Sequence, residues 1–314
     1  MMVKGKVLIA APVHPVLTEG LEAEGYQLVS FPEIKQEQAF ELIKSCVGVI
    51  TSTRLQLDAA LIDAAPELRW IGRMGSGMEV IDLVHAAKKN IACVASPEGN
   101  CNAVAEHALG LLLSLTKNIH VSANEVVKGI WLREENRGYE LEGRTIGLIG
   151  FGHTGRAFAR KLRCMDMRIL AFDIAGQSDV PDYVEMCSLG RIKDEAEIIS
   201  FHVPHGADTY HYFNAAFADE MQHNFWLLNT SRGTVVDTSA LSPLLESGKL
   251  RGAGLDVWET EPISRMDLPQ RQQLDQILGQ AKVILTAHIA GYTYEALYKM
   301  SATLLQKIHS LSGL

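Results

Sequence analysis

The 314-residue chain is short of three things: paired cysteines, positive charge and long apolar runs. Each shortage removes a class of protein. Its five cysteines (Cys46, Cys93, Cys101, Cys164 and Cys187) are odd in number and scattered, with no Cys-x-x-Cys pair. That argues against a disulfide framework and fits reduced thiols in a cytoplasmic protein. The formal net charge is −8, whereas nucleic-acid binding needs a basic face, so nucleic acid is not expected as a partner. No apolar run reaches the length of a membrane span, so no membrane association is expected. The opening "KGKVLIAAPVHP" has too short an apolar part for a signal sequence, and Pro12 and His14 interrupt it. It reads as a first β-strand. No repeat or low-complexity tract is apparent. What remains is a composition of 47% hydrophobic and 21% charged residues, ordinary for a globular chain long enough for two domains.

Short β-like runs alternate with helical segments throughout, which predicts an α/β fold with parallel sheets. The first hundred residues offer "KVLIAA", "VGVIT", "RWIGRM" and "IACVAS" as strands and "LDAALIDAAPEL" as a helix. "NAVAEHALGLLLSLTKNIH" follows, a helix apolar nearly all round that must be buried between domains or subunits. A second series then begins, with strands "RTIGLIG", "RILAFD", "EIISFHV", "FWLLNTS", "GAGLDVW" and "KVILTAH". Six strands with intervening helices make a complete doubly wound sheet. The last helix, "TYEALYKMSATLLQKIHSL", has no sheet of its own to cover. Either it returns to the first domain, so that the second is an insertion and the two crossings make a hinged cleft, or the domains are consecutive and the helix packs on the second.

"IGLIGFGHTGRAFARKL" carries Gly150, Gly152 and Gly155 at Gly-x-Gly-x-x-Gly spacing, between an apolar strand and a helix. That context makes it a dinucleotide-binding turn. Gly150 permits the tight turn, Gly152 lets a pyrophosphate approach the backbone, and Gly155 lets the helix lie close to the strand. The helix start offers N–H groups to phosphate. Asp173 ends the next strand, 23 residues after Gly150. A carboxylate there accepts bonds from ribose hydroxyls and repels a 2′-phosphate, so NAD is expected rather than NADP.

Three further segments end apolar strands: "NTSRG", "GLDVWETEP" and "TAHIAG". They supply Arg232, Asp256, Glu261 and His288 at the carboxyl ends of strands, where a ligand crevice lies. Oxidising a hydroxy acid needs a cation for the carboxylate and a base for the hydroxyl proton. Arginine suits the first role by its forked geometry, and histidine the second by its near-neutral pKa. A neighbouring glutamate holds the imidazole and stabilises its charged form. Singly, Arg232 also fits a surface turn, Glu261 a turn cap beside Pro262, and His288 a core histidine. Together, in the domain with the glycine turn, they point to catalysis.

These segments, with "RMGSGMEVIDL" and "NAVAEHALGLLL", resemble the D-isomer-specific 2-hydroxyacid dehydrogenases over nearly the whole chain. The resemblance implies two Rossmann-like doubly wound parallel-sheet domains, with an NAD-binding domain (102–288) inserted into a catalytic domain (1–101 plus 289–314). It implies an NAD-dependent oxidoreductase moving hydride to or from C2 of a D-2-hydroxy or 2-keto acid, and a homodimer. Arg232 resembles the arginine that binds the substrate carboxylate, His288 the acid/base and Glu261 its partner. Ser76 and Gly77 match the loop whose amides hold the carboxylate, and Arg73 just before it is a further candidate for substrate binding. Asp256 matches an acid near the nicotinamide amide. His153 and Thr154 in the glycine turn, His202, Val203, Pro204 and Thr209 in "HVPHGADT", Thr230 and Gly291 match positions that line the cofactor. The same fold also serves NAD-regulated co-repressors, a second reading that belongs to binding proteins rather than enzymes.

The chain departs from the family pattern in places. His153–Thr154 replaces the usual Arg–Ile of the glycine turn, and Ser52 stands where several members have a substrate-binding arginine, with Arg54 two residues on. The segment after Pro262 is longer than usual. Arg133, in "GIWLREENRG", falls in a segment that the family places near the dimer contact. His202, His205 and His211 cluster in sequence, but their spacing fits no standard structural zinc site, and no metal is expected.

Overall fold

The computed structural model describes residues 4–176, 178–280 and 282–311. Residues 1–3 and 312–314, the ends of the expected catalytic domain, lie outside the described residues, as does Ala281 in the long segment after Pro262. The chain divides into two compact units, Met1–Cys101 with Tyr292–Leu314, and Asn102–Gly291. Each holds one parallel sheet, so the expected α/β class is borne out.

The first unit has five strands: β1 (Gly5–Ala10), β2 (Tyr26–Ser30), β3 (Cys46–Thr51), β4 (Trp70–Arg73) and β5 (Ala92–Ala95). Their order is β2-β1-β3-β4-β5. Successive side chains of β1 point to opposite faces. Val7 and Ile9 join Leu17, Leu21, Trp70, Leu304 and Ile308 on one side. Leu8 and Ala10 join Ile43, Leu61, Ile62 and Ile71 on the other. Leu304 and Ile308 belong to the last helix, Tyr294–Leu311, which therefore covers one face of this sheet. Gly20 lets that helix come close, since a Cβ there would lie 2.3 Å from Leu305 Cδ2.

The second unit has seven strands, one more than the sequence suggests: β6 (Thr145–Ile149), β7 (Arg168–Phe172), β8 (Val184–Met186), β9 (Ile198–Phe201), β10 (Phe225–Asn229), β11 (Leu250–Leu255) and β12 (Val283–Leu285). The order is β12-β11-β10-β9-β6-β7-β8. The extra strand is β8, a three-residue edge. β9 and β10 are buried along their whole length, as strands covered on both faces must be. From β6 the chain winds outward through β7 and β8, then returns to β9 on the other side of β6. That reversal makes the carboxyl ends of β6 and β9 the switch point where ligands bind in such sheets.

The long apolar helix runs from Pro97 to Thr116, and buries Ala105, Ala108, Leu111, Leu112 and Leu115. Glycines in β11 allow its close approach: a Cβ on Gly254 would lie 3.0 Å from Leu111 Cβ. The sequence predicts one helix through to His120. The chain instead breaks at Asn118, which is left-handed (φ 53°), and a second helix spans Ile119–Val127. That second helix buries none of its residues. Val127 and, just beyond it, Trp131 are 87% and 81% exposed. Among the described residues no helix is long and apolar enough to cross a membrane.

Candidate active site

The glycine turn sits at the end of β6. Gly150 has φ +94°, a region that L-residues avoid, and a Cβ on it would lie 2.4 Å from His202 O. A Cβ on Gly155 would lie 2.3 Å from Gly150 O, so the helix His153–Leu162 can start against the strand only as glycine. Around Gly152 the opposite holds: nothing lies within 4 Å of where its Cβ would stand. Gly152 is also the N-cap, and no side chain caps the helix there. His153 and Thr154, its first two residues, border this open space. Asp173 binds the turn directly. Its Oδ2 accepts from Phe151 N at 2.8 Å and its Oδ1 from Ala175 N at 2.9 Å.

The turn's neighbours come from β9 and the loop after it. Val203 packs beside Gly150, and Thr209 Oγ1 donates to Pro204 O at 2.7 Å, closing the loop on itself. His202 offers the turn its backbone carbonyl rather than its ring. The ring is buried, with Nε2 2.9 Å from Ser200 Oγ and its centroid 5.5 Å from that of the tilted Phe158 ring. Burial pushes this imidazole down to about 4, so it is neutral near pH 7. Thr230, after β10, has a buried Oγ1 with no hydrogen-bond partner. Buried polar atoms are normally paired, so this orphan and the open ground above Gly152 suit a polar ligand such as NAD.

At the end of β10 the Asn229 side chain organises the arginine turn. Its Nδ2 donates to Arg232 O at 2.9 Å, and its Oδ1 accepts from Ser231 N and Ser231 Oγ. The next residue is pressed against the following segment: a Cβ on Gly233 would lie 1.8 Å from Trp258 O. This contact brings Arg232 beside Glu261. Glu261 Oε1 accepts from Trp258 N at 2.7 Å, and Oε2 lies 2.7 Å from His288 Nδ1. With Nδ1 engaged, Nε2 is the nitrogen left to meet a ligand, and the His288 side chain is 45% exposed.

The charges act on one another. The hydrogen bond to Glu261 holds the His288 pKa above its ordinary value, against burial and against Arg232, and with help from Asp256. Burial opposes the Glu261 charge, but His288, the Trp258 amide and Arg232 together hold its carboxyl below the usual range. Arg232, Glu261 and His288 are thus brought together in one unit with the glycine turn. Asp256 lies beneath them, 1% exposed, and its carboxylate accepts from Thr286 Oγ1, Ile289 N and Ala290 N. Gly291 follows and closes this unit.

Arg73, Ser76 and Gly77 belong to the first unit. Arg73 is 5% exposed and folds back on its own loop, with Nη1 donating to Met74 O. Ser96 ties that loop down, accepting from Gly75 N and donating to Arg73 O. Ser76 stands exposed at its tip. Arg54 pairs with Glu33.

Of the three clustered histidines, His205 Nδ1 contacts Thr234 Oγ1 at 3.0 Å, and His211 Nε2 lies 2.9 Å from Glu259 Oε2. His211, Asp237 and Glu259 converge within 4.8 Å, yet Glu259 is already committed to His211 and to the Thr238 amide. Sequence reasoning missed Asn229 as an organiser, along with His107 and Thr286. A polar ring such as His107 in an otherwise apolar helix was the available signal, since it must find a partner.

Comparison with known proteins gives this geometry its context. Residues 109–290 match the family model for the NAD-binding domain of D-isomer specific 2-hydroxyacid dehydrogenases. A glyoxylate reductase of Thermofilum pendens is 37% identical over 302 residues, covering 94% of this chain and 86% of that protein. A hydroxypyruvate reductase of Thermotoga maritima is 30% identical over the full length of both. Among solved structures, a D-lactate dehydrogenase of Aquifex aeolicus in complex with NAD and lactic acid superposes with a TM-score of 0.84 at 26% identity, covering 98% of this chain and 95% of that one. The chain belongs to the D-isomer specific 2-hydroxyacid dehydrogenase family, as an NAD-dependent oxidoreductase acting on CH–OH groups.

Proposed function

We propose that the protein interconverts a small, unphosphorylated 2-keto acid and its D-2-hydroxy acid, with His288 as acid/base and Arg232 as the carboxylate-binding residue. The observation that carries this reading is the contact of His288 Nδ1 with Glu261 Oε2 at 2.7 Å, with Arg232 beside the pair. When bound, NADH would supply the hydride for reduction and NAD+ would accept it in oxidation. In reduction, His288 Nε2 gives a proton to the substrate oxygen, and Glu261 stabilises the imidazolium beforehand. Arg232 pairs with the carboxylate through its fork. Asp173, the uncapped helix start at His153 and Thr154, Thr230, and the Val203, Pro204 and Thr209 loop hold the dinucleotide.

The absence of phosphate from the substrate is supported by three positions. Ser52 replaces an arginine, Arg54 is paired with Glu33, and Arg73 is turned onto its own loop. The Thermofilum and Thermotoga relatives are named for glyoxylate and hydroxypyruvate. The test is kcat/KM with NADH for glyoxylate, hydroxypyruvate and phosphohydroxypyruvate. A preference above roughly a thousandfold for the phosphorylated acid, about 4 kcal/mol, overturns the assignment. We further propose a homodimer through the uncovered helix Ile119–Val127 and the exposed Trp131, supported by an apolar surface that a lone subunit leaves wet. Light scattering after size exclusion tests it: a monomer in solution refutes it.

A further inference from the structure

The loop that carries His288 is wrapped around one buried carboxylate. Asp256 Oδ1 accepts from Thr286 Oγ1 at 2.5 Å and from Ile289 N at 2.9 Å, and Oδ2 accepts from Ala290 N at 2.8 Å. The Asp256 main-chain oxygen accepts from His288 N at 2.8 Å. His288 is therefore held on both sides, and between those holds it takes φ +55°, a left-handed conformation unusual for a residue with a side chain. A local bond from His288 N to Thr286 O at 3.0 Å and the bonds to Asp256 together hold that turn.

The carboxylate is in turn oriented from behind. Thr286 has one hydroxyl proton and spends it on Asp256. His107 Nε2, from the helix Pro97–Thr116, lies 2.9 Å from Thr286 Oγ1 and 3.4 Å from Asp256 Oδ1. Since the hydroxyl has no second proton, the histidine must be the donor, carrying its proton on Nε2. The chain runs in one direction: His107 Nε2–H to Thr286 Oγ1–H to the Asp256 carboxylate, which receives the amides flanking His288.

We infer that His107 and Thr286 are positioning residues for His288, acting through the Asp256 carboxylate to fix the backbone that aims the imidazole. Neither side chain hydrogen-bonds to His288 or Glu261, and neither has a role in the mechanism proposed above; the Thr286 main-chain oxygen accepts from His288 N at 3.0 Å, a bond that side-chain substitutions leave in place. The inference rests on the reading of His288 as the acid/base. Without the Thr286 hydroxyl, Asp256 keeps its two amide donors but loses the bond that sets its rotation, and the reacting ring loses its fixed direction. Small displacements of that kind lower kcat more than they alter cofactor binding.

The experiment compares Thr286→Val, Thr286→Ser, His107→Leu, His107→Gln and His288→Asn with the unaltered enzyme, using NADH and the faster of glyoxylate and hydroxypyruvate. Thr286→Val keeps the shape and removes the hydroxyl; its kcat should fall about tenfold while the KM for NADH stays within roughly twofold. Thr286→Ser, with hydroxyl restored, should recover most of kcat. His107→Leu should lower kcat by roughly threefold or more, and His107→Gln, which still offers an N–H, should recover it. Hydrogen exchange at the Ile289 and Ala290 amides should quicken in Thr286→Val and not in Thr286→Ser. This readout needs no activity and holds if a variant is poorly stable at assay temperature. The inference is overturned if Thr286→Val and His107→Leu turn over normally, or if Thr286→Ser falls as far as Thr286→Val. Full activity in His288→Asn would instead sink the acid/base reading, and the exchange data would still judge the bonds to Asp256.

Discussion

Glu261 spans two segments with one carboxylate: Oε1 receives the Trp258 amide and Oε2 lies 2.7 Å from His288 Nδ1. The glutamate is held by its own loop before it meets the histidine, so its charge is fixed in place. Because Glu261 raises the His288 pKa, the protonated form that the proposed mechanism uses in reduction persists to higher pH. Glu261→Gln removes the charge and lets that pKa fall. The expected result is a kcat/KM profile for keto-acid reduction that declines at lower pH than in the unaltered enzyme. His288→Asn should abolish this limb and lower kcat by at least roughly a hundredfold. A profile unmoved by Glu261→Gln contradicts the pairing.

Asp173 does two things, and they separate by measurement. It accepts the Phe151 and Ala175 amides, and in the proposed reading it also meets the ribose hydroxyls. Asp173→Ser should raise the KM for NADH and narrow its advantage over NADPH, since the repulsive charge is gone. The unaltered enzyme should favour NADH by at least roughly tenfold in kcat/KM, about 1.4 kcal/mol. Equal use of both nucleotides by the unaltered enzyme would refute the assignment to Asp173.

Gly233 allows no side chain. A Cβ would stand 1.8 Å from Trp258 O and 2.6 Å from Glu259 N, both backbone atoms that a rotamer change cannot move. Gly233→Ala should push the Arg232 turn away from the Glu261 segment, with overpacking that costs about 1–3 kcal/mol. We expect kcat/KM to fall by roughly a hundredfold or more, with NADH binding kept, as followed by quenching of tryptophan fluorescence. Normal turnover would show that Arg232 and Glu261 need not be neighbours.

His202 predicts acid sensitivity. Its pKa in the folded protein is about 4, below an ordinary histidine near 6.5, so between those values the unfolded chain binds the proton more readily. Stability is then complete above about pH 6.5 and is lost as the pH falls toward 4, by on the order of 3 kcal/mol. His202→Gln should flatten this slope, seen as a smaller drop in Tm between pH 7 and pH 4.5 than in the unaltered protein. An equal drop in both would assign the acid sensitivity elsewhere.

The readable parts of this chain were those where local sequence and burial agree. β9, β10 and β6 are continuous apolar runs in buried strands, and the glycine turn follows β6 at once. β2 and β8 were missed because each buries a single residue and no apolar run marks it, whereas apolar runs mark β5 and β12 at the opposite sheet edges. Arg232, Glu261 and His288 could be named because each lies shortly past the carboxyl end of an apolar strand. The supports could not. That Asn229 wraps the arginine turn, or that His107 reaches Thr286 across 179 positions, depends on distances that the strand order creates. Arg73 shows the reverse case: a charge read from the sequence as a substrate-binding candidate, whose side chain folds onto its own loop.

The buried ring beneath Gly150 has one more consequence. Because His202 stays uncharged down to about pH 4, the ring beneath Gly150 carries no charge at pH values where an ordinary histidine is protonated. The two imidazoles of this unit, His202 and His288, are thus pushed in opposite directions, one by burial and the other by its glutamate. An inflection in turnover well above pH 4 is therefore not the titration of the His202 ring.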